Sequence, residues 1–136
     1  MKKELVVNVP LNSLSFGNVS VNLLREMWKR SMDISLFPVG NTVDLSPFDK
    51  LDPGFLKWLD ISIKNRLDGI SSVIPTLKLW HLNGAENRIT EKQHLFTFHE
   101  LNFATQTETA IANLQNNIIF SSSFSKDIFN TSGCKN

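Results

Sequence analysis

Cysteine is nearly missing from this chain of 136 residues, with Cys134 the single example. An internal disulfide and any multi-cysteine zinc site are therefore excluded, and the usage suits a reducing compartment, so a cytoplasmic location is the expectation. No apolar stretch approaches the ~20 residues needed to cross a bilayer. Met1-Lys2-Lys3 before Leu5-Val6-Val7 begins like a signal peptide, but Asn8, Asn12 and Ser13 interrupt the apolar run and no small-residue cleavage pattern follows. A basic block is also lacking: net charge is +1, and Lys and Arg are spread along the chain. The electrostatic footprint of phosphate-backbone binding is thus missing, which argues against a nucleic-acid partner. Neither GxGxxG nor GxxxxGK[ST] occurs, so dinucleotide and P-loop binding have no direct support. There is no GxSxG elbow for a serine nucleophile, and Asp44, Asp49 and Asp52 do not follow an EF-hand pattern.

What is present reads as one α/β domain. The chain is 41% hydrophobic and 20% charged, and its length suits a single core. Leu5, Val6, Val7 and Val9 form a nearly unbroken apolar run over Glu4 to Val9, as in a strand buried on both faces of a parallel sheet, and Pro10 is expected to end it. After the loop Leu11 to Gly17, Val19, Leu23, Leu24 and Met27 recur at helical spacing across residues 18–31. Ile34 to Val39 reads as a second strand, followed by a loop from Gly40 to Lys50. Asp52-Pro53 starts a helix whose stripe is Phe55, Leu59 and Ile63 with Leu56 and Leu67, closed by Asp68-Gly69. Thr76 to Leu82 and Leu95 to His99 are further strands, with room for only a short helix between them. Thr105 to Glu108 is a capping box that opens a helix at 106–115. Asn117 to Ser121 is a last strand, and Ser122 or Ser123 caps a final helix with Gly133 at its end. The alternation predicts a Rossmann-like open parallel sheet with helices on both faces.

In such sheets ligands collect beyond the carboxyl ends of the strands, where strand order reverses. Three segments reach that edge: Asn12 to Gly17, His81 to Gly84, and His99 to Thr105. Gly17 lets an anion approach the free amides at a helix start, or it serves an ordinary tight turn. His99 with Glu100 can orient a sugar hydroxyl or place an imidazole near a reacting centre; the alternative is a strand-end histidine bonded to backbone. His81 has the same two readings. His94 precedes its strand at the opposite edge, and its odd spacing from His99 sends the two to opposite faces, against a shared metal. Ser121, Ser122 and Ser123 are explained by capping, and Trp28, Trp58 and Trp80 by packing.

Several segments together resemble the N-terminal domain of GT-B glycosyltransferases of the large retaining group, family 4-like, that includes bacterial mannosyl- and glucosyltransferases. They are Val7-Asn8-Val9-Pro10 with Ser13-Leu14-Ser15-Phe16-Gly17, Lys78-Leu79-Trp80-His81, Phe96-Thr97-Phe98-His99-Glu100-Leu101, and Ser121 to Lys126 with Phe129 and Gly133. The resemblance spans nearly the whole chain in the expected order. It implies transfer of a glycosyl group from a nucleotide-sugar co-substrate to an acceptor held between two Rossmann-like domains. By position, His99 would contact the transferred sugar as the catalytic histidine, Gly17 would lie in the loop meeting donor phosphates or acceptor, and His81 and Glu100 would line the acceptor side. No metal and no further cofactor is implied, and no DxD motif is present. Relatives often carry a glycine pair where this chain has Phe16-Gly17.

The donor-binding C-terminal domain of that family lies outside these residues, so the chain alone is expected to be truncated and inactive. An exposed sheet edge would then favour homo-oligomers. The alternative is a free-standing, non-catalytic binding or interaction module on the same scaffold. A receiver-like signalling domain would need acidic residues after the first strand, where the chain has Asn8, Pro10 and Asn12.

Overall fold

The computed structural model describes residues 3–12, 14–48, 50–99 and 101–133. Asp49, Glu100 and Cys134 lie outside them. The described elements are β1 (Leu5–Leu11), α1 (Ser15–Lys29), β2 (Ile34–Val43), α2 (Pro53–Lys64), β3 (Thr76–Leu79), β4 (Gln93–Thr97), α3 (Gln106–Leu114), β5 (Asn117–Phe120) and α4 (Ser123–Thr131). The strands form one all-parallel sheet in the order β2-β1-β3-β4-β5. This is the Rossmann-like open α/β sheet that the alternating pattern predicts.

Two cores lie on opposite faces. Val7, Val9, Ile34, Leu36 and Leu79 of the sheet join Val21 and Leu24 of α1 and Phe55 and Leu59 of α2. Leu95 instead packs with Ile111 and Ala112 of α3, Phe129 of α4, and Leu82 and Ala85. Leu79 pairs with Phe96, so strand alternation turns the adjacent Leu95 to the other face. Burial of these apolar side chains supplies most of the folding drive. A polar tie supports the second core: the Nε2 of fully buried Gln93 donates to the Ala85 carbonyl (2.7 Å) and to Gln115 Oε1 (2.8 Å).

The helix starts form as their sequences require. Asp52 Oδ1 accepts the Gly54 amide at 2.7 Å, with Pro53 at the first helical position. Thr105 Oγ1 accepts from the Glu108 amide and Glu108 Oε1 from the Thr105 amide, each at 3.1 Å, completing the capping box. Ser122 Oγ caps α4 by accepting from the Ser125 amide at 3.2 Å.

Several boundaries differ from the sequence expectation. β1 runs through Pro10 to Leu11, because its register against β2 shifts between Val9 and Leu11 and the missing proline donor falls at that irregularity. β2 continues to Val43: Gly40 (φ 74°) and Asn41 (φ 54°) enter the left-handed region, where both residue types are tolerated, and absorb the extra residues. α1 starts at Ser15 rather than Asn18 and ends at Lys29, so Phe16 and Gly17 belong to its first turn. α2 stops at Lys64, before Asp68-Gly69, which leaves Leu67 on the surface at 68% exposure. β3 ends at Leu79, and β4 is shifted toward the N-terminus, so Trp80 to Leu82 and Phe98 to His99 are released from the sheet. Residues 83–92 form turns and bends with no helix. No helix among the described residues is long and apolar enough to cross a membrane.

Candidate functional site

The order β2-β1-β3 means that the chain leaves β1 in one direction and returns on its other side, so the switch point lies between β1 and β3. A cavity of about 680 Å³ opens at that carboxyl edge, lined by Phe16, Trp80, His81, Leu82, Asn83, Phe98, His99 and Glu108. Each segment arrives for a topological reason. Phe16 starts the helix after β1, Trp80 to Asn83 leave β3, Phe98 and His99 leave β4, and Glu108 is in the first turn of the helix after β4.

Aromatic faces build one wall. Phe16 stacks on Phe98 with centroids 4.6 Å apart and planes 7° from parallel, and meets the His81 ring edge-on at 4.7 Å. Trp80 meets His81 at 5.1 Å and 70°. Offset stacks and edge contacts are the favoured arrangements of such rings, so this wall is held in place by its own packing. Phe16 is also continuous with the core beneath α1.

The polar wall centres on His99, which is 9% exposed. Its Nε2 lies 2.8 Å from the Phe103 carbonyl oxygen, an acceptor, so that nitrogen carries the proton and donates. Nδ1 lies 3.7 Å from Glu108 Oε2. The ring meets Phe129 edge-on at 4.7 Å, and the His99 carbonyl accepts from Ser125 Oγ. The histidine is therefore locked between loop 98–105, α3 and α4. Glu108 serves twice, capping α3 through Oε1 and facing His99 through Oε2.

Of the residues singled out by sequence, His81 and His99 share this cavity, while Glu100 lies outside the described residues. Gly17 is adjacent, in the first turn of α1. A Cβ built on it would overlap the Asn12 carbonyl and come within 2.6 Å of Asn12 Oδ1, so the bare glycine lets the loop after β1 close against the helix. His94 is at the amino end of β4, where its Nδ1 lies 2.9 Å from Asn117 Nδ2, far along the strand from His99. Among the described residues, no group of three or more His, Cys, Asp or Glu could hold a metal ion. Trp28 and Trp58 pack in the core under α1 and α2, the latter donating to the Met32 carbonyl at 3.0 Å.

Sequence reasoning missed Trp80, Phe98 and Glu108 as lining residues. The signal for Glu108 was available: a helix that follows a strand begins at the ligand edge, so its N-terminal turn faces the crevice. Trp80 directly precedes His81 at a strand end, but packing accounted for it equally well.

Lys78 pairs with Leu95, on the α3 face of the sheet, and is only 6% exposed. Its Nζ donates to the Gly84 and Asn87 carbonyls at 3.2 and 3.0 Å, tying down the turn that follows the Asn83 edge of the cavity. Burial pushes this ammonium below the ordinary lysine value of 10.5, and the negative charge of Glu86 partly opposes that. The folded state then releases this proton more readily than the unfolded chain, so the charge costs stability at neutral pH and the cost fades as pH rises toward 10.5. Wild-type stability measured against Lys78→Met by urea unfolding should therefore climb between neutral pH and 10; a flat difference would show that the ammonium is not desolvated.

Compared with known proteins, the chain matches no family model, no curated protein and no solved structure.

Proposed function

We propose that this chain is the acceptor-side, Rossmann-like half of a GT-B glycosyltransferase, working with a second domain that binds the nucleotide-sugar. The observation that carries this reading is the convergence of separated segments. Pieces of chain after β1, β3 and β4, the same ones that resemble the glycosyltransferase pattern, line one crevice at the switch point. The chemistry of the lining suits a sugar: aromatic faces can cover the C–H face of a pyranose, and a few fixed polar groups can orient its hydroxyls.

In this reading His99 positions a hydroxyl. Its Nε2 is committed to the Phe103 carbonyl, and the 3.7 Å between Nδ1 and Glu108 Oε2 is too long for a direct hydrogen bond. With both atoms acceptors, a sugar hydroxyl entering beside them can donate to His99 Nδ1 or to Glu108 Oε2. His81, exposed at the rim, and Asn83 complete the acceptor side, with Gly17 holding the loop beneath Phe16.

Expressed with the downstream second domain that the reading requires, the protein should turn over one of a panel of nucleotide-sugars, and His99→Ala should lower kcat/KM by about 10²-fold or more. The 136-residue chain alone should bind an acceptor and transfer nothing. Transfer by the isolated chain would overturn the two-domain division. Sugar binding by a protein whose reading frame ends at Asn136 would favour a free-standing binding module built on the same crevice.

A further inference from the structure

The charge lining the crevice differs from the charge of the chain. The protein carries 14 Lys and Arg against 13 Asp and Glu, yet none of the described lysines or arginines lines the cavity. Their placement explains why. Lys78 lines a separate pocket and is engaged by two backbone carbonyls. Arg88 is spent on the Glu91 and Leu114 carbonyls and on Asn116 Oδ1. Arg25 and Arg66 sit over the Phe55 and Phe37 rings, and Lys3, Lys29 and Lys64 pair with Asp33, Glu26 and Asp60. Lys126 lines a separate shallow pocket with Ser122 and Ser123.

Among the described residues, the one carboxylate in the lining is Glu108, whose side chain is 13% exposed. An anionic group entering the crevice would be desolvated beside it with none of the described lysines or arginines to compensate, whereas an ammonium would gain a charge-assisted bond to Oε2. We infer that the crevice selects a neutral or amine-bearing pyranoside, that it rejects phosphorylated sugars and uronic acids, and that Glu108 sets this preference. The inference rests on the crevice being a sugar site. It also places any nucleotide diphosphate elsewhere, since a diphosphate would meet the same penalty.

The test is saturation-transfer NMR and titration on the 136-residue chain with neutral hexose, hexosamine, hexose 6-phosphate and hexuronate, each in gluco, manno and galacto form. The neutral and amino forms of at least one series should bind, with the phosphate and uronate of that series about tenfold weaker or worse. Glu108→Gln removes the charge and retains a side-chain oxygen able to complete the capping box, since Gln serves at that position as Glu does. This variant should narrow the gap by loosening the amino sugar and tightening the anions. Anionic sugars that bind as well as neutral ones, or a selectivity unchanged in Glu108→Gln, would overturn the inference and leave the sugar site standing. Failure of every sugar to bind would remove the sugar site itself.

Discussion

Gly17→Ala should destabilise the fold by about 2–3 kcal/mol, the scale of overpacking a tight contact. The sign is opposite to the usual one, because alanine in a helix interior is ordinarily favoured over glycine by roughly 0.5–1 kcal/mol. Here the new methyl would occupy the space taken by the Asn12 backbone carbonyl, and backbone cannot rotate away as the end of a side chain can. Relief requires the loop after β1 to lift from the first turn of α1. Phe16, next in the chain, would move with it, so the stack on Phe98 and the aromatic wall should loosen as well. Urea unfolding of Gly17→Ala beside Asn18→Ala, an exposed position on the same turn, measures the effect. Equal stability of the two variants would mean that the loop does not rest on the helix.

The second large effect is expected at Phe129. This α4 side chain is fully buried, stacks on Phe120 at 5.1 Å and meets the His99 ring at 4.7 Å. Truncation to alanine removes transfer energy and leaves a cavity, together about 3–5 kcal/mol. The loss has a functional side because Phe129 forms one wall of the slot that holds His99. Phe129→Leu, which keeps most of the volume, should restore much of the stability but not the edge-on ring contact. Ligand titration of the leucine variant then separates the fold from the site: affinity at the wild-type level would show that the ring contact does not hold His99 in place.

The fold was largely legible because its signals are local. The apolar run from Leu5 to Val9, the Asp52-Pro53 start and the Thr105–Glu108 box each contain both partners of the interaction within a few residues. Boundaries set by tertiary pairing were not. Gly40 and Asn41 look like loop residues, and only the pairing of Leu11 with Val43 shows that the strand continues past them. In the same way, Trp80 and Phe98 look like ordinary strand residues until β3 and β4 are seen to end at Leu79 and Thr97. The histidines of the candidate site could be placed at the ligand edge from their strand positions. Their partners could not: the Phe103 carbonyl and the Glu108 carboxylate reach His99 through the path of a loop, and no periodicity encodes that.

β1 pairs with β3 only from Val6 to Asn8, and its ladder to β2 is irregular from Val9 onward, around Pro10. β1 and β3 thus stop pairing after Asn8 and Lys78, just below the crevice, and two residues on, Pro10, which has no N–H to offer a neighbour, falls at the irregularity of the ladder to β2. The gap at the floor of the opening is consequently a property of the main chain. The aromatic wall above it is instead set by ring packing, so exchanging Phe16 or Phe98 would reshape the walls. Exposed rim residues such as Asn83 can be changed with the frame beneath left as it is.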